Sequence, residues 1–256
     1  MALTDTIATD RPGRPAATPR RGGWIAALVA LRRLLANKED TGQVFEIFRA
    51  LNGKAAQRNY VRLISTPQGG RIAYDHVELA PLLMDDAWLD SFADGTVGAA
   101  YRHFIRSENI SAEGLAEVSR QGQGGALEVK HPLAWFGRRG RDSHDIWHVL
   151  SGYGRDGLGE ACLVAFSYAQ TGATGWLVIA LGACLRSRSN RGAVIGAIWQ
   201  GYRRGKACAW LPGEDYVALM AEPLEAARAR LGLTPPTAYD AIPTSLREPP
   251  PAGMAM

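Results

Sequence analysis

The chain has 256 residues, of which 46% are apolar and 21% charged, with a net charge of +4. That length and apolar content suit one large domain or two small ones with a substantial core. The surplus charge is arginine, lysine occurring only at 38, 54, 130 and 206, an arginine bias of the kind a GC-rich coding sequence gives. The cations are scattered rather than striped with aromatics, which argues against nucleic acid as a partner.

Residues 1–22 hold Pro, Gly and Arg, as in "RPAATPRRG", and no apolar run, so they are not a secretory signal. Asp5 and Asp10 argue against a transit peptide, and the segment reads as a disordered leader. "WIAALVALRRLLA" then puts Trp24, Leu28, Leu31 and Leu35 on one helical face. "TGQVFEIFRALNG" gives a second helix, with Thr41 as an N-cap and Gly53 as a stop. "RNYVRLIST" fits a strand by composition, but no hairpin signal flanks it. In "STPQGGRIAYDH", Thr66 before Pro67 signals a helix start against two glycines. "TVGAAYRHFI" groups Val97, Tyr101, Phe104 and Ile105.

From Ala161 to Leu185, "ACLVAFSYAQTGATGWLVIALGACL" carries no charge and has about the length of a membrane span. Its "QTGATG" centre breaks such a span, and the segment reads as two buried helices joined near Gly172. Cys162, Cys184 and Cys208 lack metal-type spacing and read as buried thiols in a reducing compartment. "EPLEAARARLG" places Pro223 at the start of a helix, acids early, arginines late and Gly232 past the end. From Thr234 onward the chain is proline-rich, with Pro235, Pro236, Pro243 and Pro249 to Pro251, and reads as a disordered or loosely held tail. The expected architecture is therefore all-α: one helical domain over residues 23–233 between a leader, 1–22, and a tail, 234–256.

The chemistry concentrates in "RDSHDIWHVLSGYGRDGLGE", residues 141–160. On a helix, His144 and His148 are one turn apart and point the same way, as two histidines gripping one cation do. Asp145 is a further ligand, or an acceptor that fixes an imidazole tautomer. The glycines that follow turn the chain back, so Glu160, early in the next helix, can face the pair. Two nitrogens and one or two carboxylates suit Zn²⁺, Fe²⁺, Mn²⁺ or Co²⁺, with a position left for water or substrate. The zinc-protease pattern needs Glu where this chain has Asp145. The His-Asp phosphohydrolases need a further His and Asp, for which only His103 and Asp215 can be nominated. Arg141, one turn before the pair, can reach a carboxylate or phosphate bidentately, and Arg203 and Lys206 are further candidates for an anionic head.

His144, Asp145, His148 and Glu160 reproduce the His-Asp-x-x-His-(eleven residues)-Glu signature of the coenzyme Q biosynthesis protein four family. "GTVGAAYRHFI" is similar to that family's Gly-Thr-Leu-Gly-x-x-Tyr-x-x-Phe segment, and Arg141 stands where the family's arginine does. "AFSYAQTG", "GYRRGKACAWL" and "EPLEAARARLGL" resemble its later helices, so the likeness runs from about Val44 to Leu233. Two stretches depart from the pattern. "GRRGRDSHD" is richer in Gly and Arg, and "AWLPGEDYVALM" has Asp215-Tyr216 where the family has a Trp-Glu pair.

The resemblance implies an all-helical homodimer, peripheral to a membrane, with a hydrophobic tunnel for a polyprenyl chain and a metal, zinc first, at its polar end. It implies removal of the carboxyl group at ring carbon 1 of a polyprenyl-4-hydroxybenzoate in ubiquinone synthesis, in some accounts with hydroxylation of the same carbon. An oxidative route requires a redox metal such as Fe²⁺. The implied partners are the prenylated acid, membrane lipid and the other ubiquinone biosynthesis proteins. The implied location is the cytoplasmic face of a bacterial inner membrane or the matrix side of the mitochondrial one. Two function classes follow: a metal-dependent carboxy-lyase, and a non-catalytic prenyl-lipid carrier that organises the pathway's enzymes. The histidine pair favours the enzyme, since a carrier needs no cation.

Overall fold

A computed structural model describes residues 29, 32, 33, 55–107, 130–174 and 191–247. Twelve α-helices and two short 3-10 turns make up these segments, and no strand occurs among the described residues. Only Val29, Arg32 and Arg33 of the expected 24–36 helix are described, each helical and exposed. The 1–22 leader, the 41–53 helix, Cys184 and the second half of the uncharged segment lie outside the described residues.

The "RNYVRLIST" stretch forms helix α1 (Ala55–Ile64), which buries Ala55 and Leu63. Its strand-like composition yields because no neighbouring strand offers a pairing partner, whereas a helix satisfies its own backbone. Helix α2 (Pro67–Asp75) starts where Thr66-Pro67 directs it: the Thr66 hydroxyl accepts from Gly69 N, and Pro67 occupies the first turn, where no N–H is needed. Two short helices, α3 (Leu79–Leu83) and α4 (Asp86–Asp90), lead to α5 (Val97–Ser107). Helix α5 buries Val97, Tyr101 and Ile105, with Phe104 half-buried beside them.

Helices α6 (Pro132–Asp142) and α7 (His144–Ser151) carry the first half of the motif, and α8 (Gly157–Thr171) the second. All eight residues of α7 are buried. Helix α8 ends at Gly172, whose φ of 63° the absence of a side chain permits, so the uncharged run breaks where its glycines predict. Among the described residues no helix is long and apolar enough to cross a membrane. Helix α9 (Arg191–Ala207) packs on α8 through Gly201 and Gly205. A Cβ there would come within 2.5 Å of the Cys162 carbonyl and 2.6 Å of the Phe166 carbonyl, so the two backbones meet only because both positions are glycine. Cys162 is buried as expected, while Cys208 is half-buried against Gln170.

Helices α10 (Tyr216–Met220) and α11 (Leu224–Leu231) close the core. Pro223 sits at the N-cap rather than inside the first turn, one residue from its expected place, and Gly232 ends α11 at φ 69°. A smaller core of Leu63, Ile72, Trp135 and Phe136 holds α1, α2 and α6 together.

The boundary expected at Leu233 moves. Residues 234–247 include helix α12 (Thr237–Asp240), and Tyr239 and Ile242 are buried in the main core. The proline-rich composition hid this, because a few apolar anchors suffice to hold a segment whose prolines already restrict the unfolded chain. The Tyr239 hydroxyl donates to Asp156 and accepts from Gly154 N at 3.1 Å. Burial, then Asp156, push this phenol up to about 12, so it stays a donor through the neutral range.

Tyr239→Phe removes both hydrogen bonds and is expected to lower stability by about 1–3 kcal/mol in chemical denaturation. A chain ending at Leu233 should lose more, since Tyr239 and Ile242 leave the core with it. Equal stability of the truncated and full chains would restore the shorter boundary.

Candidate metal centre

Helix α7 is short, and polar groups line a helix with no solvent face. Its final carbonyls are met by guanidinium groups from distant elements. Arg228 donates to Val149 O at 2.8 Å and Leu150 O at 3.0 Å, and Arg204 donates to Ser151 O at 2.7 Å. These cations also suit the negative end of the helix dipole. The other flank is pinned by Trp147, whose Nε1 donates to Tyr216 Oη at 2.8 Å while Tyr216 donates to Leu211 O. The Asp215-Tyr216 departure therefore has a structural role: Asp215 caps α10 through Ala218 N, and Tyr216 anchors the histidine helix.

The four motif residues converge. His144 Nε2 lies 3.5 Å from Glu160 Oε2, and His148 Nε2 lies 3.3 Å from Glu160 Oε1. The imidazole centroids are 4.9 Å apart. His144, Asp145 and His148 each offer a ligand atom, all within 4.8 Å of one another, and all three are buried. Glu160 reaches the pair because Gly152, at φ 78°, ends α7, and Asp156 restarts the chain by accepting from Leu158 N and Gly159 N. Gly159 is obligatory in that turn, since a Cβ would fall 2.0 Å from the Gly154 carbonyl.

The donor set fits a metal ion. His148 Nδ1 contacts the Tyr153 carbonyl at 3.0 Å, and because a carbonyl only accepts, Nδ1 carries the proton of the neutral ring. In that neutral form the lone pair lies on Nε2. That atom is buried without a hydrogen-bond partner, close to Glu160 but off the line a hydrogen bond needs. Donors bound at roughly 2.1 Å to one tetrahedral ion stand about 3.4 Å apart. The two His–Glu separations bracket that spacing.

Electrostatics favour the ligating states in part. Burial pushes the Glu160 carboxyl up, but the His144 and His148 imidazoles facing it outweigh burial and hold it at about 2. For His148, burial disfavours the charged ring, yet Glu160, Asp145 and the Tyr153 carbonyl together raise it above its ordinary value. The carboxylate is thus ready for a cation, whereas His148 must lose a proton to take one.

The basic residues expected at the ligand head lie in different settings. Arg141 pairs with Asp142, its Nε and Nη2 each 2.7 Å from Oδ1, while its Nη1 is buried without a partner. Arg203 and Lys206 are exposed on α9, and the buried arginine of that run is Arg204. Of the phosphohydrolase nominees, His103 is exposed and Asp215 caps α10. Sequence reasoning missed Arg155, which is buried in the turn between the histidines and Glu160. Its signal was available, since it is the one cation in the eleven-residue spacer. It also missed Phe104 as a neighbour of the centre; the ring stacks on His148 at 5.4 Å between centroids.

The family model for Coenzyme Q (ubiquinone) biosynthesis protein Coq4 matches residues 24–237. The chain belongs to the Coq4 family. A Rattus norvegicus relative, named as a mitochondrial ubiquinone biosynthesis protein COQ4 homolog, is 26% identical over 172 residues, which is 66% of this chain and 62% of that one. A Danio rerio homolog of the same name is 28% identical over 111 residues, 43% of this chain and 38% of that one. The chain thus spans less than two thirds of the length of these curated relatives. A crystal structure of a Nostoc punctiforme protein, provisionally named for ubiquinone biosynthesis, superposes with a TM-score of 0.60 at 24% identity, covering 82% of this chain and 98% of that one. That likeness supports the fold, and the Coq4 family match itself runs past Leu233, to residue 237.

His148→Ala is expected to abolish stoichiometric metal uptake while leaving a folded protein, read by elemental analysis and circular dichroism. Uptake by the metal-free wild type should release protons, because the folded His148 holds its proton above the usual imidazole range. Affinity should therefore fall as pH drops from above neutrality through pH 6.5 toward pH 5. Calorimetry in buffers of different ionisation enthalpy reads this directly, and a pH-independent affinity would remove His148 from the ligand set.

Proposed function

We propose that this Coq4 protein is a metal-dependent carboxy-lyase that removes the carboxyl group at ring carbon 1 of a polyprenyl-4-hydroxybenzoate in ubiquinone synthesis. The observation that supports it most is the buried cluster of His144, Asp145, His148 and Glu160 around an unpartnered His148 Nε2. A carrier needs only an apolar cavity and has no use for two histidines and a carboxylate sunk in the core. His144, His148 and Glu160 would hold one divalent ion, with Asp145 as a fourth ligand or as a partner of the imidazoles. Zinc suits this donor set, as do iron, cobalt and manganese. Such an ion supplies Lewis-acid polarisation of a substrate oxygen.

The chain's own groups do the rest. Glu160, ionised, fixes the charge at the centre, and the Tyr153 carbonyl fixes the His148 tautomer. Loss of carbon dioxide leaves an electron pair on the ring carbon, which must take a proton in its place. Tyr101 is placed to keep a proton beside Asp145: burial, then Asp145 and Asp142, hold its phenol in the neutral form. In this reading Arg141 contributes to attracting the anionic head. The prenyl tail lies in an apolar tunnel against α8, whose first eleven residues after the turn are buried on all sides apart from its glycine start. Each buried CH₂ of that tail adds about 0.8 kcal/mol.

A tail of that kind requires a lipid-facing mouth, so the protein sits on a membrane without crossing it. Ile195, Trp199, Arg203 and Lys206 recur at helical spacing on the exposed side of α9. An indole and an aliphatic chain beside two cations suit an anionic lipid surface. The relatives named as mitochondrial support the mitochondrial alternative for its location. Assembly as a homodimer and with the other enzymes of the pathway belongs to the same proposal.

The deciding experiment supplies the metal-loaded chain with a prenylated 4-hydroxybenzoate labelled at the carboxyl carbon and collects labelled carbon dioxide, in air and under nitrogen. Release by the wild type, reduced at least about a hundredfold by Glu160→Gln, is expected. Full retention of label in both atmospheres would leave the carrier role. For the membrane position, alkaline carbonate washing should release the protein into the supernatant, and Trp199→Glu should release it at lower salt. Retention in the alkaline pellet would mean an integral protein.

A further inference from the structure

Arg155 is 6% exposed, and its Nη1 is fully buried with no hydrogen-bond partner. Among the described residues no carboxylate forms an ion pair with it. Its guanidinium carbon stands 5.8 Å from the centroid of Phe104, the same ring that stacks on His148. The other buried arginines of the core differ in this respect. Arg204 donates to Ser151 O and Thr234 O, and Arg139 donates to Glu214 O. Those two act as struts between elements, whereas Arg155 braces nothing by hydrogen bonding.

An unpaired guanidinium in the interior is costly, since burial strips its water without returning an opposite charge. A fold retains such a group where a ligand supplies the missing anion. The charge balance points the same way. Glu160 and Asp145 offset a divalent ion at the histidine pair, and among the described residues Arg155 pairs with no carboxylate and, unlike Arg139 and Arg204, with no carbonyl either. A monoanion completes the balance. The chemistry narrows the class: a guanidinium fork matches a planar carboxylate, and the aromatic Phe104 side chain beside it favours a flat ring.

We propose that Arg155 is the substrate-binding residue that holds the carboxylate of an aromatic acid against the Phe104 ring, and so selects carboxylated over decarboxylated ring ligands at this centre. The inference rests on the reading of the site as one that takes a prenylated hydroxybenzoate. Arg141 cannot serve in the same way, because Asp142 already occupies two of its nitrogens. Selection of this kind also aids turnover: once carbon dioxide has left, the product lacks the group that Arg155 holds.

The test uses the full metal-loaded chain and two probes, 3-farnesyl-4-hydroxybenzoate and 2-farnesylphenol, which lacks the carboxylate. Tryptophan fluorescence or calorimetry gives Kd for each, under nitrogen and with binding complete before turnover is detectable. The wild type should bind the acid about ten- to a hundredfold more tightly than the phenol. Arg155→Gln should abolish that preference by weakening the acid alone, and Arg155→Lys should restore part of it. Should the glutamine variant fail to fold, the lysine variant and the wild-type preference still decide the matter. A wild type that does not prefer the acid, or a preference that survives in Arg155→Gln, overturns the proposal. Release of labelled carbon dioxide is scored separately. Turnover with an Arg155-independent preference sinks this inference and keeps the carboxy-lyase reading. An Arg155-dependent preference without turnover does the reverse.

Discussion

The structure depends on burying helix α7 whole. An eight-residue helix with two histidines, an aspartate and a serine has no solvent face here, so every polar group on it needs a partner from elsewhere. Three of its last carbonyls receive guanidinium donors from α9 and α11, its tryptophan is tied to Tyr216, and its second histidine is tied to the Tyr153 carbonyl. These partners come from positions 5 to 79 residues away in the chain. The surrounding helices are therefore arranged around the needs of α7, and the close α8–α9 contact through Gly201 and Gly205 follows from bringing Arg204 under its C-terminus.

The same constraint explains why a proline-rich stretch belongs to the domain. The turn between α7 and α8 must present Tyr153 O to His148 and deliver Glu160 to the opposite side of the pair. Gly152, Gly154 and Gly159 permit that path but do not select it. Tyr239 selects it by bridging Asp156 and Gly154 N, and it packs on Tyr153 at 5.5 Å between ring centroids. The tail reaches the candidate metal centre through one phenol, which is bonded to the turn that presents the Tyr153 carbonyl to His148.

The fold class was legible because helix signals rest on local spacing. Thr66-Pro67, the Val97–Ile105 stripe, the glycine break at 172 and the Pro223–Gly232 bracket are all decided within a few residues. The convergence of His144, His148 and Glu160 was legible for the same reason, since a helix, a glycine turn and a helix start fix it. What the sequence concealed was long-range. Nothing near Tyr239 marks it as an anchor, because its partners lie 83 and 85 residues away. Arg204 and Arg203 are neighbours in sequence, and only the packing of α9 on α8 decides which is buried. Composition misled at "RNYVRLIST", where β-branched and aromatic residues sit on a helix because no strand is there to pair with.

Unsatisfied groups are unevenly spread, and their distribution separates scaffold from site. The struts also leave nitrogens unpaired, Nε on Arg139 and Nε and Nη1 on Arg204, but each of these arginines spends its Nη2 on backbone carbonyls. His148 Nε2 and the Arg155 guanidinium are different, since each is the working end of its side chain and each meets the Phe104 ring. A fold that brings three arginine donors to the carbonyls of α7 and ties its tryptophan to Tyr216 does not lack the means to satisfy two more atoms. Leaving those two open, both beside the Phe104 ring, is the arrangement expected where a cation and an anion are to be brought in from outside. Stability and function then pull in opposite directions at these positions, as preorganised sites require.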